Sequence, residues 1–186
     1  AARMAVSCGL PLNNAMATAI NMLGDVHGGA GEQAMQFFHA VKSHAGTMSR
    51  EAAIDLVFRE NNQLVPGFGH RFHKNADPRS VRLMNLLETA VAEKICTGSF
   101  AEIAMAIEAY LYQQKGKAIP MNVDGVTAVI YAELGFDPAL ARGLFCLSRS
   151  VGVLAHAHEQ AGRKERNKGP SPPHYLWTYG GDNPIK

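Results

Sequence analysis

The apolar residues of this chain recur at steps of three and four, and strict alternation is rare. That is the repeat of a helix face, not of a half-buried strand. After Pro78, the residues Val81, Met84, Leu87 and Val91 fall on one predicted face. Phe100, Ile103, Ile107 and Leu111 make a second stripe, and Ile54, Val57 and Phe58 belong to a third. Start signals stand in front of each. Asp77-Pro78 offers an N-cap followed by proline at the first helical position. Ser99 with Glu102 three residues on has the form of a capping box, and Ser49 or Thr47 can cap the third. An apolar run from Val126 to Leu134 ends at Gly135, and Asp137-Pro138 opens a long apolar helix expected to reach about Ala161. Gly9-Leu10-Pro11 separates two Ala-rich helical stretches near the start. The chain is therefore expected to be all-α, with loops at 23–31, 62–77 and 115–122.

Composition narrows the function. Hydrophobic residues make up 47% of the 186, enough to fill a core without staples. Lys plus Arg (18) and Asp plus Glu (16) leave a net charge of +2, so no nucleic-acid partner is expected. No apolar run approaches the ~20 residues of a membrane span, and the first residues lack the apolar stretch of a secretory signal. Cys8, Cys96 and Cys146 are odd in number and far apart, which favours a reducing compartment. A cytoplasmic location is expected. After Gly162 the chain turns charged and then proline-rich, which reads as an extended tail anchored by Tyr175, Trp177 and Tyr179.

Three loops carry residues with chemistry. The first is Gly24-Asp25-Val26-His27-Gly28-Gly29, just ahead of a helix. A neutral imidazole there can donate a hydrogen bond to a developing oxyanion. Alone, the segment reads equally as a Gly-rich connector with an exposed His. The second runs from Val65-Pro66-Gly67-Phe68-Gly69-His70 to Asp77-Pro78-Arg79. Its glycines permit close backbone approach, and its arginines can grip carboxylates with a two-bond fork. A solvated basic turn is the plain alternative. His70 and His73 have no Cys or Glu partners at ligand spacing, so no metal is expected. The third is Asn122-Val123-Asp124-Gly125, where Asp124 serves either as a helix cap or as a general base.

Taken in order, these segments resemble the citrate synthase family. Leu23 to Ala30 is similar to that family's "GPLHGGAN" loop. Pro66 to Arg79 follows its "PGFGHRVYKNYDPR" stretch almost residue for residue. Leu144 to Arg149, within a Ser-Arg-Ser-Val-Gly run, resembles its late helix with a site arginine. The resemblance covers roughly residues 1–160.

It implies a two-lobed helical fold, with residues 28–122 as the small lobe and residues 1–27 and 123–186 as part of the large one. It implies joining acetyl-CoA to oxaloacetate through citryl-CoA, with the CoA thioester as substrate and no other cofactor, as in the tricarboxylic acid cycle. Asp124 would take a proton from the acetyl methyl group, His27 would stabilise the enol oxygen, and His70 would polarise the ketone. Arg79 and Arg149 would clamp carboxylates. Val65, Pro66, Gly67, Phe68 and Gly69 would lie against CoA. A homodimer is expected, with the helix near 11–23 as an interface element or as a core helix. The Asn-Val-Asp-Gly loop and the tail look closer to the citryl-CoA lyase branch, whereas His27 looks like a synthase residue. A non-catalytic or partner-dependent subunit of the same fold is the remaining alternative. The family's upstream "DHE…NAST" segment, which holds another substrate histidine, aligns ahead of Ala1. The chain is therefore expected to lack the N-terminal part of its protein.

Overall fold

A computed structural model describes residues 1–170, 172 and 174; Tyr175, Trp177 and Tyr179 lie outside the described residues. Eight helices follow one another: α1 (Ala2–Ser7), α2 (Leu12–Asn21), α3 (Ala30–His44), α4 (Arg50–Glu60), α5 (Pro78–Ala92), α6 (Ser99–Lys115), α7 (Val123–Glu133) and α8 (Pro138–Arg163). Among the described residues there is no strand, only two isolated bridges, Gly24 with Gly28 and Phe68 with Met121. The connections at 22–29, 61–77 and 116–122 match the loops expected from sequence. No helix of the described residues is long and apolar enough to cross a membrane.

The described residues form two compact units, residues 20–152 and residues 1–19 with those described from 153. In the first, α3 packs against α4, α6 and α7, and α5 packs on α7. Met35, Phe38 and Val41 of α3 meet Ile54 and Val57 of α4, Ile103 and Ile107 of α6, and Val126 and Val129 of α7 in one buried cluster. Each such side chain contributes roughly 1.5–3 kcal/mol by leaving water. The stripe Phe100, Ile103, Ile107 and Leu111 is buried as expected. On α5 the face is rotated: Ser80 and Leu87 are buried, while Val81 is half exposed. The second unit has a small core of Ala2, Ala5, Ala15 and Ala157. There Arg3 pairs with Glu159, and the Asn167 amide donates to the Ser7 carbonyl at 2.9 Å.

The caps show which local signals survive packing. Ser49 caps α4, accepting from the Ala52 amide, and Asp77 caps α5 with Pro78 at its start. The capping box expected at Ser99 does not form. Gly98 holds the cap position of α6 without a side chain, and Glu102 pairs with Arg50 at 2.9 Å. Glu133, from the end of α7, supplies the acceptor instead. Its carboxylate takes the Phe100 amide at 2.6 Å and the Gly98 amide at 3.0 Å. A charged acceptor from a packed neighbour makes stronger bonds to these amides than the helix's own hydroxyl would.

Candidate active site

The second and third loops are laced together. The Gly69 amide donates to the Pro120 carbonyl at 2.8 Å, and the Asn122 amide donates to the Gly67 carbonyl at 2.9 Å. The Asn122 side chain works in both directions. Its Nδ2 donates to the Gly69 carbonyl at 2.7 Å, and its Oδ1 accepts the Asp124 and Gly125 amides at 2.9 and 3.2 Å, capping α7. So Asn122 is the cap, and Asp124 occupies the first turn, half-buried. The backbones touch at Gly67 and Gly125. A Cβ on Gly67 would lie 2.6 Å from the Gly125 Cα, and Gly67 also has a φ of +84°, so only glycine fits. Phe68 packs edge-on to Phe38 of α3, with ring centroids 6.3 Å apart. Val65 and Pro66 are half-buried beside it.

This lacing carries His70 and Asp124 on adjoining segments. His70 Nδ1 accepts the Phe72 and His73 amides, both at 3.1 Å. In the neutral ring the proton therefore sits on Nε2, which leaves Nε2–H as a donor. The His73 ring stacks on His70, centroids 4.6 Å apart. Asp77 is 1% exposed and grips Arg79 in a fork, with Nε at 2.9 Å and Nη2 at 2.8 Å. The hydrogen bonds from Arg79 hold the Asp77 carboxyl down to about 2, against the pull of burial. Asp77, and more weakly Asp124, push the Arg79 guanidinium still further above its usual range. Arg79 is about half exposed, and its Nη1 takes no part in the fork.

His27 and Arg149 fall in a second cluster of the same unit. His27 is exposed in a turn closed by the Gly24 amide, which donates to its carbonyl at 2.8 Å. Arg142 of α8 holds that turn, pairing with Asp25 at 2.6 Å and with Glu32. The Arg149 guanidinium lies 4.8 Å from the Phe145 ring centroid, and Phe145 lines the space beside Gly28. Among the described residues no hydrogen bond or ion pair joins His27 or Arg149 to His70, Arg79 or Asp124. The bridge between the clusters is α3, which begins directly after the His27 turn and sets Ala34 against Gly67.

Reading the sequence by motif missed Asp77 as a site residue, Asn122 as the lace and Arg142 as the clamp of the His27 turn. The Asp-Pro-Arg spacing carried a signal for the first, since Asp at a helix cap can reach an arginine two residues on. Nothing local marks Arg142. No group of three or more His, Cys, Asp or Glu side chains among the described residues is placed to hold a metal ion.

The family described as "Citrate synthase, C-terminal domain" matches residues 1–170. The chain belongs to the citrate synthase family. It is 32% identical over 141 residues to the citrate synthase of Acidithiobacillus ferridurans, covering 75% of this chain and 36% of that protein. It is 33% identical over 164 residues to the glyoxysomal citrate synthase of Cucurbita maxima, covering 86% and 31%. The chain thus spans about a third of the length of these relatives. Its fold is similar to the citryl-CoA lyase of Hydrogenobacter thermophilus, with a TM-score of 0.80 and 32% identity, over 100% of this chain and 70% of that one. It is also similar to the Thermoplasma acidophilum citrate synthase, solved with carboxymethyl coenzyme A and oxaloacetate. There the TM-score is 0.69 and the identity 27%, over 100% and 49%.

Proposed function

We propose that this site makes and breaks the carbon–carbon bond of citryl-CoA, joining acetyl-CoA to oxaloacetate in the synthase direction. The observation that carries this reading is the lacing through Asn122. It holds the first turn of α7, with its Asp124 carboxylate, against the loop that carries His70, whose Nε2–H is left as a donor, and Arg79. Asp124 takes a proton from the acetyl methyl group. That carbon acid is weak, so the base needs an oxyanion donor working with it, the role given to His27. The methyl carbon then attacks the ketone carbon of oxaloacetate. His70 donates its Nε2 proton to the oxygen that becomes the hydroxyl of citryl-CoA. Arg79, through the edge not used by Asp77, and Arg149 hold the carboxylates. The backbone of Val65 to Gly69 lies against CoA, and the thioester is the only cofactor-like group required. In the reverse direction Asp124 returns the proton to the leaving carbon.

The lobe division at 27/28 and 122/123 and a homodimer belong to the same proposal. A second reading, cleavage of citryl-CoA without hydrolysis, is favoured by the higher TM-score to the citryl-CoA lyase, 0.80 against 0.69. Incubating the full-length protein with citryl-CoA separates them. Free citrate and CoA identify a synthase, whereas acetyl-CoA and oxaloacetate identify a lyase. Formation of neither product pair would refute the carbon–carbon chemistry and leave a non-catalytic or partner-dependent subunit.

A further inference from the structure

Asp77 does more than cap a helix. A cap needs one acceptor for one orphan amide, and a serine supplies that. At Asp77 the cap bond is Oδ1 to the Arg79 amide, 3.1 Å. Three more bonds follow. Oδ1 also takes Arg79 Nε at 2.9 Å, and Oδ2 takes Arg79 Nη2 at 2.8 Å and the Val123 amide at 3.1 Å. Each carboxylate oxygen therefore accepts two donors, in a side chain that is 1% exposed. The last of these bonds leaves the loop and reaches α7. Val123 is the first residue of α7 and directly precedes Asp124; its amide belongs to the Asn122–Val123 peptide. Asn122 takes the next two amides, so the first turn of α7 is held by Asn122 and Asp77 together.

We propose that Asp77 is a positioning residue that couples Arg79 to Asp124, so that the carboxylate-binding arm and the base are set by one buried group. This rests on the roles given to Arg79 and Asp124 above. The fork fixes which edge of Arg79 remains for substrate, and the Val123 bond fixes the pitch of the turn bearing Asp124. Sub-ångström displacement of either changes the rate, because a base acts only at hydrogen-bond distance from the proton it takes.

The test uses Asp77→Asn and Asp77→Ser in the full-length protein. Both keep an acceptor for the cap; neither can make the charged fork, and serine is too short to reach Val123. Proton exchange from the methyl group of acetyl-CoA should slow about ten- to a hundredfold, the range for a lost charged hydrogen bond. The KM for oxaloacetate should rise about tenfold, while that for acetyl-CoA stays within about twofold. In an Arg79→Ala background, Asp77→Asn should raise the oxaloacetate KM no further yet still slow exchange, because the Val123 arm is intact there. Folded variants with native exchange and native KM would reduce Asp77 to a cap and overturn the proposal, as would a full second rise in KM in the Arg79→Ala background. Hydrogen–deuterium exchange of the Val123 amide supplies a readout without turnover. It should quicken at least about tenfold in Asp77→Ser, and an unchanged rate overturns the α7 arm. A wild-type protein inactive toward acetyl-CoA and citryl-CoA would instead sink the proposed function, while the amide measurement still decides the role of Asp77.

Discussion

Asn122→Asp isolates one atom of the lace. The carboxylate keeps an acceptor for the Asp124 and Gly125 amides, and its charge at the N-terminus of α7 adds roughly 0.3–1 kcal/mol. What it loses is the Nδ2 donor to the Gly69 carbonyl, a 2.7 Å bond in a half-buried site. That carbonyl then faces a carboxylate oxygen, and an acceptor left unpaired costs roughly 1–3 kcal/mol. The loss exceeds the gain, so the variant should be less stable by roughly 1–2 kcal/mol. For a chain of this length each kcal/mol lowers Tm by roughly 2–4 °C, giving a fall of roughly 2–8 °C. Asn122→Ala loses the cap as well, roughly another 0.5–2 kcal/mol, and should fall further. Urea and thermal unfolding of the three proteins measure the order directly. An Asn122→Asp protein as stable as wild type would mean that the bond to Gly69 holds nothing and that some other contact keeps the two loops together.

Gly67→Ala combines a left-handed φ, roughly 1–2 kcal/mol, with a backbone clash against Gly125, roughly 1–3 kcal/mol, so unfolding in urea should show a loss of roughly 2–5 kcal/mol. A loss below 1 kcal/mol would mean that the close approach relaxes freely. Asp77 has its pKa depressed to about 2, so its contribution is full above the unfolded value near 4 and disappears as pH falls toward 2. Stability should decline by at most roughly 2 kcal/mol across that window, and Asp77→Asn should flatten the decline. Asp124→Asn should slow methyl proton exchange of acetyl-CoA roughly 10²–10⁴-fold with CoA binding nearly unchanged. Native exchange by that variant would exclude Asp124 as the base.

The helices were legible because their signals are local. Apolar steps of three and four, Asp77-Pro78 before α5, Ser49 before α4 and Gly135 after α7 each act within one or two turns, and sequence neighbours decide them. The loops and their histidines were legible by motif, down to the family. What sequence alone could not decide is which groups meet. Ser99 and Glu102 had the right spacing for a capping box, yet Glu133 took the amides, because packing of α6 on α7 brought a charged acceptor to them. Val81 shared a predicted stripe with Leu87, but the contact of α5 with α7 rotated the face onto Ser80. Asp77 could be read as a cap from its own neighbours. Its bond to Val123 exists only because the residues around Gly67 and Gly125 allow two backbones to touch, which sets the two loops side by side. Burial then leaves the carboxylate no partner but Arg79 and the amide ahead of Asp124. Local chemistry chose the elements; the non-local contacts chose the hydrogen-bond partners, because most buried polar groups bond what the fold places beside them.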